Sequence, residues 1–127
     1  HWYAVFNDRP VIASEAQAIC IKSGGHLVVI SGKSENEFVK GLASSTMKFD
    51  YDYFIGLNRL SDKSWKWVDG EDYSKGFKNW GPAEEKGTNY RADEKYVSMW
   101  ILENDKASGQ WASVRGNISS YFICEWE

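Results

Sequence analysis

Histidine, cysteine, proline and methionine each occur only twice in the 127 residues of this chain, and each scarcity removes a class of function. With His1 and His26 as the only imidazoles, no Ser-His-Asp, Cys-His or metal-hydrolase spacing can be assembled. His26 precedes an apolar run and reads as a structural residue. Acidic pairs such as Glu71-Asp72 lack the partner carboxylate that glycoside hydrolysis needs, so no enzyme activity is expected. Positive charge is also short: the formal net charge is −3 and no basic patch would neutralise phosphates, which argues against nucleic acid. No apolar run approaches the ~20 residues of a membrane span, so no membrane insertion is expected. An initiator Met and a signal-peptide pattern are also missing, and the chain reads as one mature or excised domain, residues 1–127.

What is abundant is aromatic. Seven Trp, seven Tyr and six Phe make 16% of the chain, within a hydrophobic total of 43%. That content suits a β-rich core or an exposed recognition surface and lies far from disordered composition. The two cysteines, Cys20 and Cys124, stand near opposite ends. Joined, they would close a loop worth roughly 4–5 kcal/mol in the chain-entropy model. Separate, they would be two ordinary buried thiols. Composition leaves both open.

Along the chain, "WYAVF" alternates as a strand. "ASEAQAICIKSGG" opens with Ser14 and Gln17 at capping-box spacing, carries Ala16, Ile19, Cys20 and Ser23 on one face, and stops at Gly24-Gly25. "HLVVI" is a short buried strand. Ser34 and Glu37 repeat the capping box before a helix with Phe38, Val39 and Leu42 as its apolar stripe. Beyond residue 50 the period changes to two. "YFIGLNRL" and "SWKWVDG" are strands around a polar "SDK" turn, and "YVSMWIL", "GQWASV" and "SYFICEWE" close the chain. Between them, residues 70–95 hold five Gly or Pro breaks and no period, which predicts a long loop with few apolar anchors, the most exchangeable part of the fold. Strand, two helices, then strands alone is an α+β order, and the first and last strands are placed to pair.

In order, "YAVF", "ASEAQAIC", "GGHLVVI", "SENEFV", "FIGL", "WKWVDG", "NWGP", "YVSMW", "GQW" and "FICEWE" resemble the C-type lectin-like domain from end to end. The resemblance implies two helices flanking small antiparallel sheets, a long loop emerging between strands, and a Cys20–Cys124 disulfide. It places Trp65, Trp67 and Trp80 in the core. The family's inner bridge is missing, because Tyr96 stands at its first cysteine, as in single-bridge microbial-type members.

Calcium-dependent members carry a Glu-Pro-Asn or Gln-Pro-Asp triplet in the long loop, then a Glu, then Asn-Asp after a Trp. Here the triplet positions hold Glu84-Glu85-Lys86, with an ammonium where an oxygen ligand belongs, and Trp111 is followed by Ala112 and Ser113. Only Glu84 and Glu94 match. No cofactor is expected; if calcium binds, Glu84 and Glu94 are its ligands. The resemblance implies a non-catalytic, extracellular recognition or adhesion module, secreted or at the cell surface, monomeric within a larger protein. Its ligand residues would be Glu84, Glu85, Asn89, Tyr90, Asp93, Glu94 and Trp100, taking a protein or other surface ligand. The alternative is a carbohydrate-binding lectin with a non-standard calcium site, or sugar stacking on Tyr90. A purely structural module of an adhesin is a third reading. Asn117-Ile118-Ser119 is a glycosylation sequon.

Overall fold

The computed structural model of the chain describes residues 1–61, 64–82 and 93–127. Nine elements follow in order: β1 (Trp2–Ile12), α1 (Ala13–Lys22), β2 (His26–Leu27), α2 (Lys33–Ser44), β3 (Tyr51–Asn58), β4 (Lys66–Trp67), β5 (Glu94–Ile101), β6 (Trp111–Arg115) and β7 (Ser119–Trp126). The arrangement is α+β, as the sequence order predicts. The strands form one seven-stranded sheet with spine β1-β7-β3-β5-β6, on which β2 adds to β7 and β4 to β3. The expected small antiparallel sheets are therefore joined. The seam is the parallel pairing of β3 with β7, Tyr53 opposite Tyr121 and Phe54 opposite Phe122.

β1 and β7 pair antiparallel with Trp2 opposite Trp126, so the two ends of the chain lie side by side. β1 runs six residues past the predicted "WYAVF". Its edge position explains this, because Pro10 removes a ladder donor that an edge strand can spare. The ladder registers the disturbance as an irregularity between Phe6 and Val11.

α1 buries Ala13, Ala16 and Cys20, while Ile19 is half-buried and Ser23 is exposed. It ends as its glycines predict: Gly24 takes φ +92°, and the N–H groups of Gly25 and Gly24 donate to the carbonyls of Cys20 and Ile21. Neither predicted capping box forms. α1 is entered from Ile12 and α2 from Gly32, with no side-chain cap at either. Gln17 instead accepts the Leu27 N–H at 2.8 Å, tying α1 to β2. In α2 the start falls two residues earlier than predicted, so Glu35, not Glu37, reaches back to the Ser31 N–H at 2.7 Å. Its buried face is Asn36, Val39 and Ala43. Phe38 is turned outward and packs on Tyr3, ring centroids 5.1 Å apart.

Cys20 and Cys124 are joined, with Cα atoms 5.6 Å apart. The bridge sits in the smaller of two cores, with Phe54, Phe122 and Leu27. The larger core gathers Val28, Ile30, Tyr53, Ile55, Leu57, Met99, Ile101 and Ile123 around Trp111. Of "HLVVI" only two residues join the ladder. Val28, Val29 and Ile30 continue as buried chain, Val28 donating to Ile123 and accepting from Gly56.

Candidate functional site

The aromatic block before the long loop is packing, and it carries the loop's first half. Trp65 and Trp67 are buried, and fully buried Trp111 meets Trp67, Phe77 and Trp80 edge-on at centroid distances of 5.6, 5.9 and 5.8 Å. Trp80 also lies 5.2 Å from Trp65 and donates its indole N–H to the Tyr73 hydroxyl at 2.8 Å. Residues 70–82 are thus anchored by Tyr73, Phe77 and Trp80. The expectation of few apolar anchors fails there, because these three aromatics lack a period but all pack against the larger core, Phe77 and Trp80 directly on Trp111 and Tyr73 bonded to Trp80. Beside them Asn79 accepts the Trp111 N–H and Gly81 donates to the Trp111 carbonyl, so "NWGP" runs along β6.

The far side of the loop enters β5 at Asp93 and Glu94. Glu84, Glu85, Lys86, Asn89 and Tyr90 lie outside the described residues. The bulge between Glu94 and Tyr96 in the β5–β6 ladder sets the two acidic side chains against β6. Glu94 accepts a hydrogen bond from the Ser113 hydroxyl at 3.0 Å. Asp93 stands 2.9 Å from Arg115 Nε. That carboxylate lies beside the Nε–H direction, so the contact is an exposed ion pair rather than a directed hydrogen bond, and it contributes little.

Arg59, at the end of β3, completes the cluster. Its Nε donates to the Glu94 carbonyl at 3.0 Å and its backbone N–H to the Lys95 carbonyl. Its guanidinium covers the Trp65 ring at 4.8 Å. Ser113 stood out in the sequence as a departure from the calcium pattern; Arg59 and Arg115 were not singled out. The only signal for them is a polar residue at the end of an otherwise apolar strand.

Trp100 belongs elsewhere. It lies on the same strand, six residues on and so about 20 Å from Glu94. It is half-buried, with its ring edge against Gly81, where an added Cβ would stand 3.3 Å from Cη2. Across the ladder from it is Asp52. Burial pushes the Asp52 carboxyl above the usual range, against a 3.3 Å hydrogen bond from Ser98 that pulls the other way.

The described residues of the loop face offer a poor oxygen set for calcium, which takes six to eight oxygen ligands. Ala112 contributes no side-chain oxygen, the Ser113 hydroxyl is engaged with Glu94, and the Arg115 cation already neighbours Asp93. Histidines are found on the other side of the sheet, by β1, β2 and β7. His26 lies beside Glu127, and His1 contacts Glu125 and Glu127. Burial works against a charged His26 ring, but the Leu27 carbonyl and the Glu127 and Glu125 carboxylates hold its pKa above the ordinary value. Burial likewise raises Glu125, although the Val29 N–H donates to it at 2.9 Å.

Residues 10–126 match the family of the Lectin C-type domain. Asialoglycoprotein receptor 2 of Rattus norvegicus is 40% identical over 116 residues, which cover 85% of this chain and 36% of the receptor. C-type lectin domain family 10 member A of Homo sapiens is 38% identical over 71 residues, 56% of this chain and 21% of that protein. The chain therefore spans well under half the length of these relatives. The C-type lectin domain of murine dendritic cell inhibitory receptor 2, solved in complex with N-glycan, superposes with a TM-score of 0.76 at 25% identity, covering 96% of this chain and 87% of that one. The ordered blocks of the sequence, the joined Cys20 and Cys124 and the sheet topology agree with this match. The chain belongs to the Lectin C-type domain family.

Proposed function

We propose that this domain is a non-catalytic recognition module that binds a protein or other surface ligand through its long-loop face, without the calcium site usual in the family. The observation that carries this reading is the Ser113–Glu94 hydrogen bond. A position that supplies a calcium carboxylate in calcium-dependent members here holds a hydroxyl, and that hydroxyl is spent on one of the two matching glutamates. Ala112 beside it and Lys86 in the loop remove further donors. Asp93, Arg115 and Arg59 line the described rim, a mixed-charge edge suited to polar contacts with a protein surface. Glu84, Glu85, Asn89 and Tyr90 would extend it, and Trp100 would act from the neighbouring strand. The domain is taken to work outside the cell, as a monomeric unit of a larger protein, which accords with its disulfide.

A glycan-binding reading is favoured by one specific observation: the murine neighbour was solved with an N-glycan. A glycan array probed with and without calcium tests between them. Binding that is calcium-dependent and lost in Glu94→Gln moves the lectin reading to first place. Absence of glycan binding, with calcium leaving the thermal melt unchanged, supports the module proposed.

A further inference from the structure

We propose that His26, Asp69 and Glu127 form a binding site for a divalent transition metal of the zinc class, on the β2–β7 side of the sheet. The ligand atoms of these three side chains lie within 4.8 Å of one another. They come from three separate segments: β2, the turn after β4, and the residue following β7.

The orientation of His26 is the decisive feature. Its Nδ1 lies 2.7 Å from the Leu27 carbonyl, and a carbonyl can only accept. Nδ1 therefore carries the proton, and in the neutral ring Nε2 presents a bare lone pair. That lone pair faces Glu127 Oε1 at 3.2 Å, with the Asp69 carboxylate beside it. In the neutral ring three acceptors are turned on one point, and a divalent cation can take the place of the Nε2 proton that otherwise bridges His26 to Glu127. A ring nitrogen fixed by a backbone carbonyl on its far side is the usual outer-shell arrangement of a metal-binding histidine.

The spacing fits. Ligands at ~2.0–2.1 Å around a tetrahedral zinc stand about 3.3–3.4 Å apart. Nε2 and Oε1 are already at that separation. Asp69 is exposed and anchored through its Oδ1, which accepts the Glu71 N–H at 2.9 Å, so its second oxygen remains to approach. One imidazole and two carboxylates with a water in the fourth position suit zinc and its neighbours in the series, whereas calcium would find too few oxygens. Glu127 has a second oxygen 3.3 Å from His1 Nδ1, which with Glu125 makes an adjoining set sharing the same carboxylate. His1 lacks the backbone-fixed tautomer of His26, and on that ground the ion is assigned to His26. Bound there, it would clamp the end of β7 to the turn after β4.

Zinc chloride alone, titrated into the untagged chain and followed by calorimetry and thermal melting, tests the site. Saturating zinc is expected to raise the melting temperature, with about a hundredfold shift in the folding equilibrium when zinc stands at about a hundred times its Kd. Calcium at the same concentration should not reproduce it. His26→Ala and Glu127→Gln should each weaken zinc at least about tenfold, while His1→Ala retains it. Melting of each variant without metal verifies that it is folded. No zinc binding, binding indifferent to His26→Ala, or binding lost on His1→Ala alone would overturn the assignment.

Discussion

The indole N–H of Trp111 donates to the side-chain oxygen of Asn36 at 2.9 Å, and both residues are buried. The same Asn36 amide donates to the Gly109 carbonyl at 3.3 Å, so one polar side chain on α2 satisfies two groups of the hairpin that carries β6. Replacing it by leucine orphans a buried indole N–H, a loss of about 1–3 kcal/mol. Urea denaturation of Asn36→Leu should show that drop. A smaller cost for the same change in a Trp111→Phe background would identify the hydrogen bond as its source.

Reduction of Cys20–Cys124, 104 residues apart in sequence, should destabilise the domain by about 2–5 kcal/mol. The Cys20→Ser, Cys124→Ser double variant should melt well below the oxidised parent and close to the parent in reductant. Two free thiols found by mass spectrometry in the oxidised protein would contradict the bridge.

Asp52 lets a carboxylate be read through pH. Its folded pKa is raised by burial, so its contribution to stability is fully present below the ordinary aspartate value and is lost as pH rises through the folded pKa. At about pH 7 the ionised, half-buried group works against folding. Asp52→Asn should therefore raise the melting temperature near neutrality. The gain should shrink towards zero as the pH falls below the usual carboxylate range. Melts across that range, variant against parent, decide the sign.

Millimolar calcium should stabilise the folded chain by less than about 1 kcal/mol, since stabilisation by mass action needs a preformed oxygen cage. A melt shifted upward by many degrees, reversed by chelator and abolished in Glu84→Gln with Glu94→Gln, would restore the calcium site.

Gly56 marks where chains touch. A Cβ there would stand 2.6 Å from the Leu27 carbonyl, 2.8 Å from Val68 Cγ2 and 3.0 Å from the Val28 carbonyl. Gly56→Ala must push two backbones apart and should cost at least about 1–3 kcal/mol, measured by denaturant midpoint.

These residues also show what could be read from sequence. Helix α1 was visible with its end, since Gly24 has one physical use there. Its start was not, because a capping-box spacing is a statement about side chains that found other partners: Gln17 took Leu27, and in α2 Glu37 took Lys40. β1 was cut short at "NDRP" because edge position, which makes Pro10 tolerable, is a property of the whole sheet. At the loop face, Asp93 and Glu94 stood out as acidic residues in a loop. Arg115 and Arg59 did not, since what distinguishes them is the neighbour delivered by the β5–β6 register and the end of β3.

The side-by-side ends of β1 and β7 have a mechanical meaning. Tension applied through the flanking chain would open that ladder one pair at a time, beginning with Trp2 and Trp126, then Tyr3 and Glu125, then Ala4 and Cys124. Beyond the last of these the load passes from Cys124 through sulfur to Cys20. Only residues 1–19 and 125–127 can then be drawn out, about 70–80 Å of chain. Everything between the cysteines, including the loop face and the aromatic block beneath it, is shielded from the pull. A domain built this way can be pulled by its two ends while the described sheet and core between the cysteines keep their shape.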